Sequence, residues 1–194
     1  MFAAAKSVLD REGLPGVTIR KIAARAGVSP MALYRHFEDK DAVLNALMED
    51  GLREWEQIAR SLTAQDPIRW LEQLAEAYLE FALTQPHRFD AAFFLPAPEA
   101  RRYRDDFVAS RSPVMAMARA RIEQAKAEGR LGAKPALEVG VALSAFAQGF
   151  VSMYRAGRFS NEKQFRELYG EAIRHLLESF STGRAEPKSP RLDS

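Results

Sequence analysis

The 194-residue chain contains no cysteine, which excludes disulfides and thiolate metal sites. Its three histidines, His36, His87 and His175, form no His-x-x-x-His or Glu-x-x-His pair, so no metal site is expected. The chain has no Gly-x-Ser-x-Gly, no phosphate-binding glycine loop and no dinucleotide fingerprint. It therefore reads as neither an enzyme nor a cofactor binder. No apolar run approaches the roughly 20 residues that span a membrane. Residues 1–9 lack the long apolar core of a signal peptide. With the missing cysteines, this suits a cytoplasmic protein with no membrane partner. No internal repeat and no alternating run long enough for a strand is present, so the expected class is all-α with about nine helices.

What is present starts with charge. The net charge is only +2, a weak argument for nucleic acid. Its distribution says more. Residues 1–46 hold seven basic and five acidic side chains, but the stretch from Thr18 to Phe37 carries Arg20, Lys21, Arg25 and Arg35 with no acid. That stretch reads as a helix-turn-helix. Thr18 is placed to N-cap a first helix, and Ile22, Ala23 and Ala26 fall on one face of it. Gly27 ends it in a left-handed conformation, and Val28 plugs the corner. Ser29 caps a second helix with Pro30 at its first position. Leu33 and Phe37 then face inward, leaving Met31, Ala32, Tyr34, Arg35 and His36 outward. A second helix of this kind enters the major groove by its N-terminal end.

At these residues the chain resembles the TetR/AcrR family of bacterial transcriptional regulators. The resemblance is carried by Thr18, Ile22-Ala23, Ala26-Gly27-Val28-Ser29, Leu33-Tyr34-Arg35-His36-Phe37 and Lys40, and runs from about Ala4 to Leu47. Many members have a small residue where this chain has Met31. The resemblance implies a double-stranded operator as partner, contacted through Thr18, Arg20, Ser29, Pro30, Met31, Ala32, Tyr34, Arg35, His36 and Lys40. It also implies a homodimer joined through the last two helices.

The remaining chain reads as a helical body. Phe2 to Glu12 predicts a first helix ended by Gly13, then a loop over Gly13-Leu14-Pro15-Gly16. Asp41 is expected to cap a long helix reaching about Leu62. Asp66-Pro67 starts another, interrupted at Gln85-Pro86 and followed by an aromatic-rich segment, His87 to Leu95. Pro96 and Pro98 break the chain. Glu99 to about Ser110 predicts a helix whose Arg101, Arg102 and Arg104 read as a solvated face, because Asp105 and Asp106 follow. Pro113 opens a helix ended by Gly129 and Gly132. Pro135 opens one running to about Ala156, with Val139, Leu143, Phe146, Phe150 and Met153 spaced four, three, four, three. The last runs from about Asn161 to Phe180. The expected organisation is a DNA-binding domain over 1–46, an effector-binding and dimerisation domain over 47–180, and a disordered polar tail over 181–194.

Of 19 aromatic residues, 16 lie beyond residue 47. Trp70, Tyr78, Phe81, Phe89, Phe93, Phe107, Met115, Phe146, Gln148, Phe150 and Tyr154 are the candidates to line an apolar effector cavity. Ser144 and Arg121 are further polar candidates. The expected function is a ligand-responsive regulator, a repressor released from a palindromic operator by a small apolar effector. The alternative is a dimeric DNA-binding regulator with no effector.

Overall fold

The computed structural model describes residues 1–95, 98–100, 105–109 and 111–181. The arginine run at 101–104 and the tail from 182 lie outside those residues, as do Pro96, Ala97 and Ser110. The described residues form ten helices and no strand: α1 (Phe2–Gly16), α2 (Ile19–Ala26), α3 (Pro30–Leu33), α4 (Lys40–Arg60), α5 (Pro67–Thr84), α6 (Pro86–Phe93), α7 (Asp105–Val108), α8 (Pro113–Ala127), α9 (Ala136–Arg155) and α10 (Glu162–Ser179). The class is all-α. The helix beyond the expected nine is α6. Its proline takes the first helical position, where a missing N–H costs nothing, and Phe89, Ala91 and Ala92 supply a buried face.

The chain divides into two compact units, Met1–Leu62 with Glu76–Val114, and Thr63–Ala75 with the chain from Met115 on. In the first unit, α1 buries Ala5, Val8 and Leu9 at helical spacing against Val17, Ile22, Leu33, Val43 and Leu47. Burying side chains of the size of Ile22 or Leu33 stabilises by about 1.5–3 kcal/mol each. Gly13 has φ 66° and ψ −173°, so the regular helix stops there as expected; a further helical turn, Leu14 to Gly16, replaces the expected loop.

Two features of this unit were not anticipated. The N-cap of α4 is Asp39, whose Oδ1 accepts from Ala42 N at 2.8 Å, and not Asp41, which lies inside the first turn. Both are aspartates, and only the backbone distinguishes them. In addition, Ala91 of α6 belongs to the same apolar core as α1, α2, α3 and α4. The core of the first four helices thus includes a residue of α6, a helix that begins at Pro86.

In the second unit, α8 and α9 approach closely at Gly140, where a Cβ would stand 2.8 Å from Met115 Sδ. The Tyr169 hydroxyl of α10 donates to Ala75 O of α5 at 2.8 Å. On α9 the buried side is Ala136, Val139, Gly140, Ala147 and Val151. Beyond Val139, the expected apolar seam is only half covered: Leu143, Phe146 and Phe150 are half-buried and Met153 is 49% exposed. By length and composition α9 could cross a membrane, which corrects the expectation that no run approaches that length.

Candidate nucleic-acid interface and effector site

The helix-turn-helix is built by its caps. Thr18 Oγ1 accepts from Lys21 N at 3.3 Å. Gly27 sits at φ 68°, ψ 32°, with Gly27 N donating to Ala24 O and Val28 N to Ala23 O. Those two bonds close the helix in a paired turn that requires a left-handed residue, which glycine supplies without strain. Ser29 Oγ then accepts from Ala32 N at 3.2 Å. The second helix is a single regular turn, Pro30–Leu33, continued by bonds from His36 N and Phe37 N to Leu33 O. Leu33 is fully buried and Phe37 half-buried. Met31 is 71% exposed, with Tyr34, Arg35, His36 and Lys40 exposed beside it in sequence.

The four basic residues of this stretch separate into two kinds. The Lys21 ammonium pairs with Glu12, and Arg25 Nε donates to Ser7 Oγ at 3.0 Å. Both side chains tie α2 back onto α1. Arg20 and Arg35 are exposed and have no hydrogen-bond or ion-pair partner among the described residues. The hydroxyls of Thr18 and Ser29 are engaged as caps, so they position the turn, and Pro30 starts the helix they organise. Ala32 is half-buried.

The aromatic candidates gather in two clusters. In the first unit, Tyr78 meets Phe89 and Phe93 edge-on at ring-centroid distances of 5.0 and 5.1 Å. Phe81 meets Phe89 at 5.9 Å. Trp55 of α4, not a sequence candidate, packs against Tyr78, Phe81 and Phe93. Trp55 lies in the connector helix, and its role became visible only with α4, α5 and α6 in place. Burial pushes the Tyr78 hydroxyl well above the ordinary tyrosine range, so it stays protonated.

In the second unit, Phe150 contacts Phe146 at 5.1 Å and Tyr169 at 5.8 Å. Tyr154 stacks on Phe165 at 4.4 Å and donates its hydroxyl to Glu162 at 3.1 Å. Trp70 is buried beneath the Arg121 guanidinium, 5.5 Å from the ring. Met115 is buried against Gly140. Gln148 and Phe107 are half-buried, and Ser144 is turned to its own helix, donating to Gly140 O at 2.9 Å. Tyr78, Phe81, Phe89 and Phe93 are therefore brought together. Phe146, Phe150 and Tyr154 belong to the other cluster.

One further constellation had no sequence signal. Arg88 of α6 donates from Nε and Nη2 to both oxygens of Asp10 on α1, at 2.9 and 3.0 Å, and from Nη1 to Glu54 of α4 at 3.0 Å. The Arg88 hydrogen bonds hold the Asp10 carboxyl below the usual carboxylate range.

Comparison with known proteins matches two profiles. "Bacterial regulatory proteins, tetR family" covers residues 2–47, and "Tetracyclin repressor-like, C-terminal domain" covers residues 71–176. The uncharacterised HTH-type transcriptional regulator YobS of Bacillus subtilis is 26% identical over 90% of this chain and 87% of its own length. The class A tetracycline repressor from transposon 1721 of Escherichia coli is 49% identical, over 28% of this chain and 25% of its own. Among solved structures, a protein of unknown function from Rhodococcus sp. RHA1 has a TM-score of 0.74 at 25% identity, covering 93% of both chains.

Proposed function

The chain belongs to the TetR family of bacterial regulatory proteins, and from that premise we propose a homodimeric repressor that leaves a palindromic operator when a small apolar effector binds. The observation that carries this is the pair of unpaired arginines, Arg20 and Arg35, beside a capped turn whose other cations are held by α1. Arg20 reads a base edge, as arginine does through guanine O6 and N7. Tyr34, His36 and Lys40 hold phosphates and set register. Met31, Ala32 and Arg35 complete the groove-facing set.

Support for a dimer comes from α9 and α10. Only 28% of the most apolar window of α9 is buried, and Met153 and Leu168 are 49% and 46% exposed. A water-soluble helix pair with that surface calls for a second copy. Support for an effector comes from the ring cluster of Trp55, Tyr78, Phe81, Phe89 and Phe93. It includes α4, which leads into the head, and α6, which shares the head's core. The name of the class A relative, a repressor matched over 28% of this chain, favours repression over activation. The domain division proposed with this reading is a DNA-binding domain over 1–46 and an effector and dimerisation domain over 47–180.

Selection of bound sequences from random DNA, followed by light scattering, tests the reading. An inverted repeat with half-sites about 34–36 Å apart or a multiple, bound by a dimer, is expected. A monomer, or binding without sequence preference, overturns it.

A further inference from the structure

The cluster of five rings contains two polar groups that the fold leaves unmatched. Trp55 is 7% exposed and Tyr78 is 8% exposed. They touch edge to face with ring centroids 5.5 Å apart. Neither the Trp55 indole N–H nor the Tyr78 hydroxyl has a hydrogen-bond partner among the described residues. The contrast with Tyr169 is informative: that buried hydroxyl donates to Ala75 O at 2.8 Å. Buried polar groups are paired in the great majority of native structures, and an unpaired one is destabilising. Two side by side in one apolar cluster call for a guest.

The chemistry of the guest follows from what surrounds it. An indole N–H can only donate, and a protonated phenol donates readily. Both therefore ask for lone pairs. Phe81, Phe89 and Phe93 supply ring faces and edges and no charge. A carboxylate there would lack a counter-charge among the five clustered side chains, which is costly. A quaternary ammonium would use the ring faces but leave both polar hydrogens unmatched.

We propose that Trp55 and Tyr78 form the polar end of an effector site for an uncharged, ring-bearing molecule carrying a hydrogen-bond acceptor oxygen, such as an aryl ketone. This rests on the effector-responsive reading above and specifies its ligand. The rings grip the apolar body, and the two donors orient the oxygen and reject isosteres that lack it, because a bound isostere leaves both donors unpaired.

Acetophenone and its near-isostere cumene separate the alternatives, with phenyltrimethylammonium as the cationic probe. Isothermal titration of the full chain should show acetophenone binding about tenfold tighter than cumene, although cumene is the more apolar. Tyr78→Phe and Trp55→Phe should each remove that advantage. Tyr78→Phe should also raise the ligand-free melting midpoint by about 2 °C, because it deletes an unpaired buried hydroxyl. Equal or inverted preference in the wild type, tighter binding of the ammonium, or no binding of any probe overturns the proposal. So does an unchanged or lower midpoint in Tyr78→Phe, which would mean that the hydroxyl already has a partner. A parallel measurement of operator binding keeps the two readings distinct. Sequence-specific DNA binding without ketone preference sinks this proposal alone, and loss of sequence-specific binding sinks the regulator reading.

Discussion

Arg88 holds Asp10 by two parallel hydrogen bonds, 2.9 and 3.0 Å long, and so fastens α6 to the first helix of the DNA-binding head. Its remaining nitrogen reaches Glu54 on α4. One side chain thus joins the first helix, the connector and α6. The packing beneath agrees: a Cβ on Gly13 would lie 2.9 Å from His87 Nδ1, and Ala91 enters the head's core. A displacement of α6 must therefore be felt in α1. Arg88→Met keeps the stem and removes the fork. It should lower stability by about 1 kcal/mol, the scale of a partly exposed pair, and blunt any effector's influence on DNA affinity. Denaturant unfolding and operator titration with and without acetophenone check both parts. Undiminished coupling would show that apolar packing alone transmits the motion.

The same pair fixes an acid limit. Hydrogen bonding to Arg88 depresses the Asp10 pKa in the folded chain. Asp50 is also depressed; burial opposes this, but bonds from Lys6 and Arg53 outweigh it. For a depressed carboxyl, the stabilisation is complete above the unfolded value, near 3.9. It is lost as pH falls through the lower folded value. The wild type should thus lose stability faster than Asp10→Asn as the pH is lowered below about 4. Parallel acid limbs in thermal melts of the two proteins would remove Asp10 from the account.

At the DNA face, Arg20→Ala should cost roughly 1–3 kcal/mol on the selected operator and relax one base pair per half-site. Lys40→Ala should instead weaken all sequences alike and flatten the log–log salt slope by about one unit. Lys21→Ala should act chiefly through the fold, since its ammonium is held by Glu12. Equal losses on operator and random DNA would make Arg20 a phosphate contact.

Gly51 is the contact point of α4 with α6. A Cβ there would stand 3.0 Å from both Ala92 Cβ and Arg88 O. Helix propensity alone favours Gly51→Ala by about 0.8–1.0 kcal/mol. Overpacking against groups that cannot swing aside costs about 1–3 kcal/mol. The steric term wins, so the variant should be destabilised. A higher melting midpoint would show that α4 and α6 part easily.

The head was legible because its signals are local. Thr18, Gly27, Ser29 and Pro30 each act on residues within five positions, and every one of these caps is present. The helical class and most boundaries followed from proline, glycine and apolar spacing in the same way. The Asp39 cap was missed because two aspartates compete within one turn. The effector candidates were harder, since an aromatic stripe does not state which helix it faces. Trp55 joined Tyr78 and Phe93 through tertiary packing, and Phe150 joined Phe165 and Tyr169 instead. Arg88 and Asp10 stand 78 residues apart, with nothing in either neighbourhood to announce the pair.

The dimer can be tested without damaging the protomer. On α10, Phe165, Tyr169, Ile173 and Leu177 are buried within the unit, whereas Leu168 is 46% exposed. Both classes lie on one helix, so one substitution chemistry reports on two faces. Leu177→Arg places an unpaired charge in the core and should unfold the chain, with a cost of several kcal/mol. Leu168→Arg meets solvent in a single protomer and should leave the helical circular dichroism intact. If α9 and α10 form the seam, that same charge is buried against a second copy, and the variant should run as a folded monomer by light scattering at micromolar concentration. A monomer cannot span two half-sites, so operator affinity should fall by far more than a surface charge change explains, while Arg20 and Arg35 remain in place. A Leu168→Arg protein that stays dimeric with unchanged operator affinity would move the seam to another face.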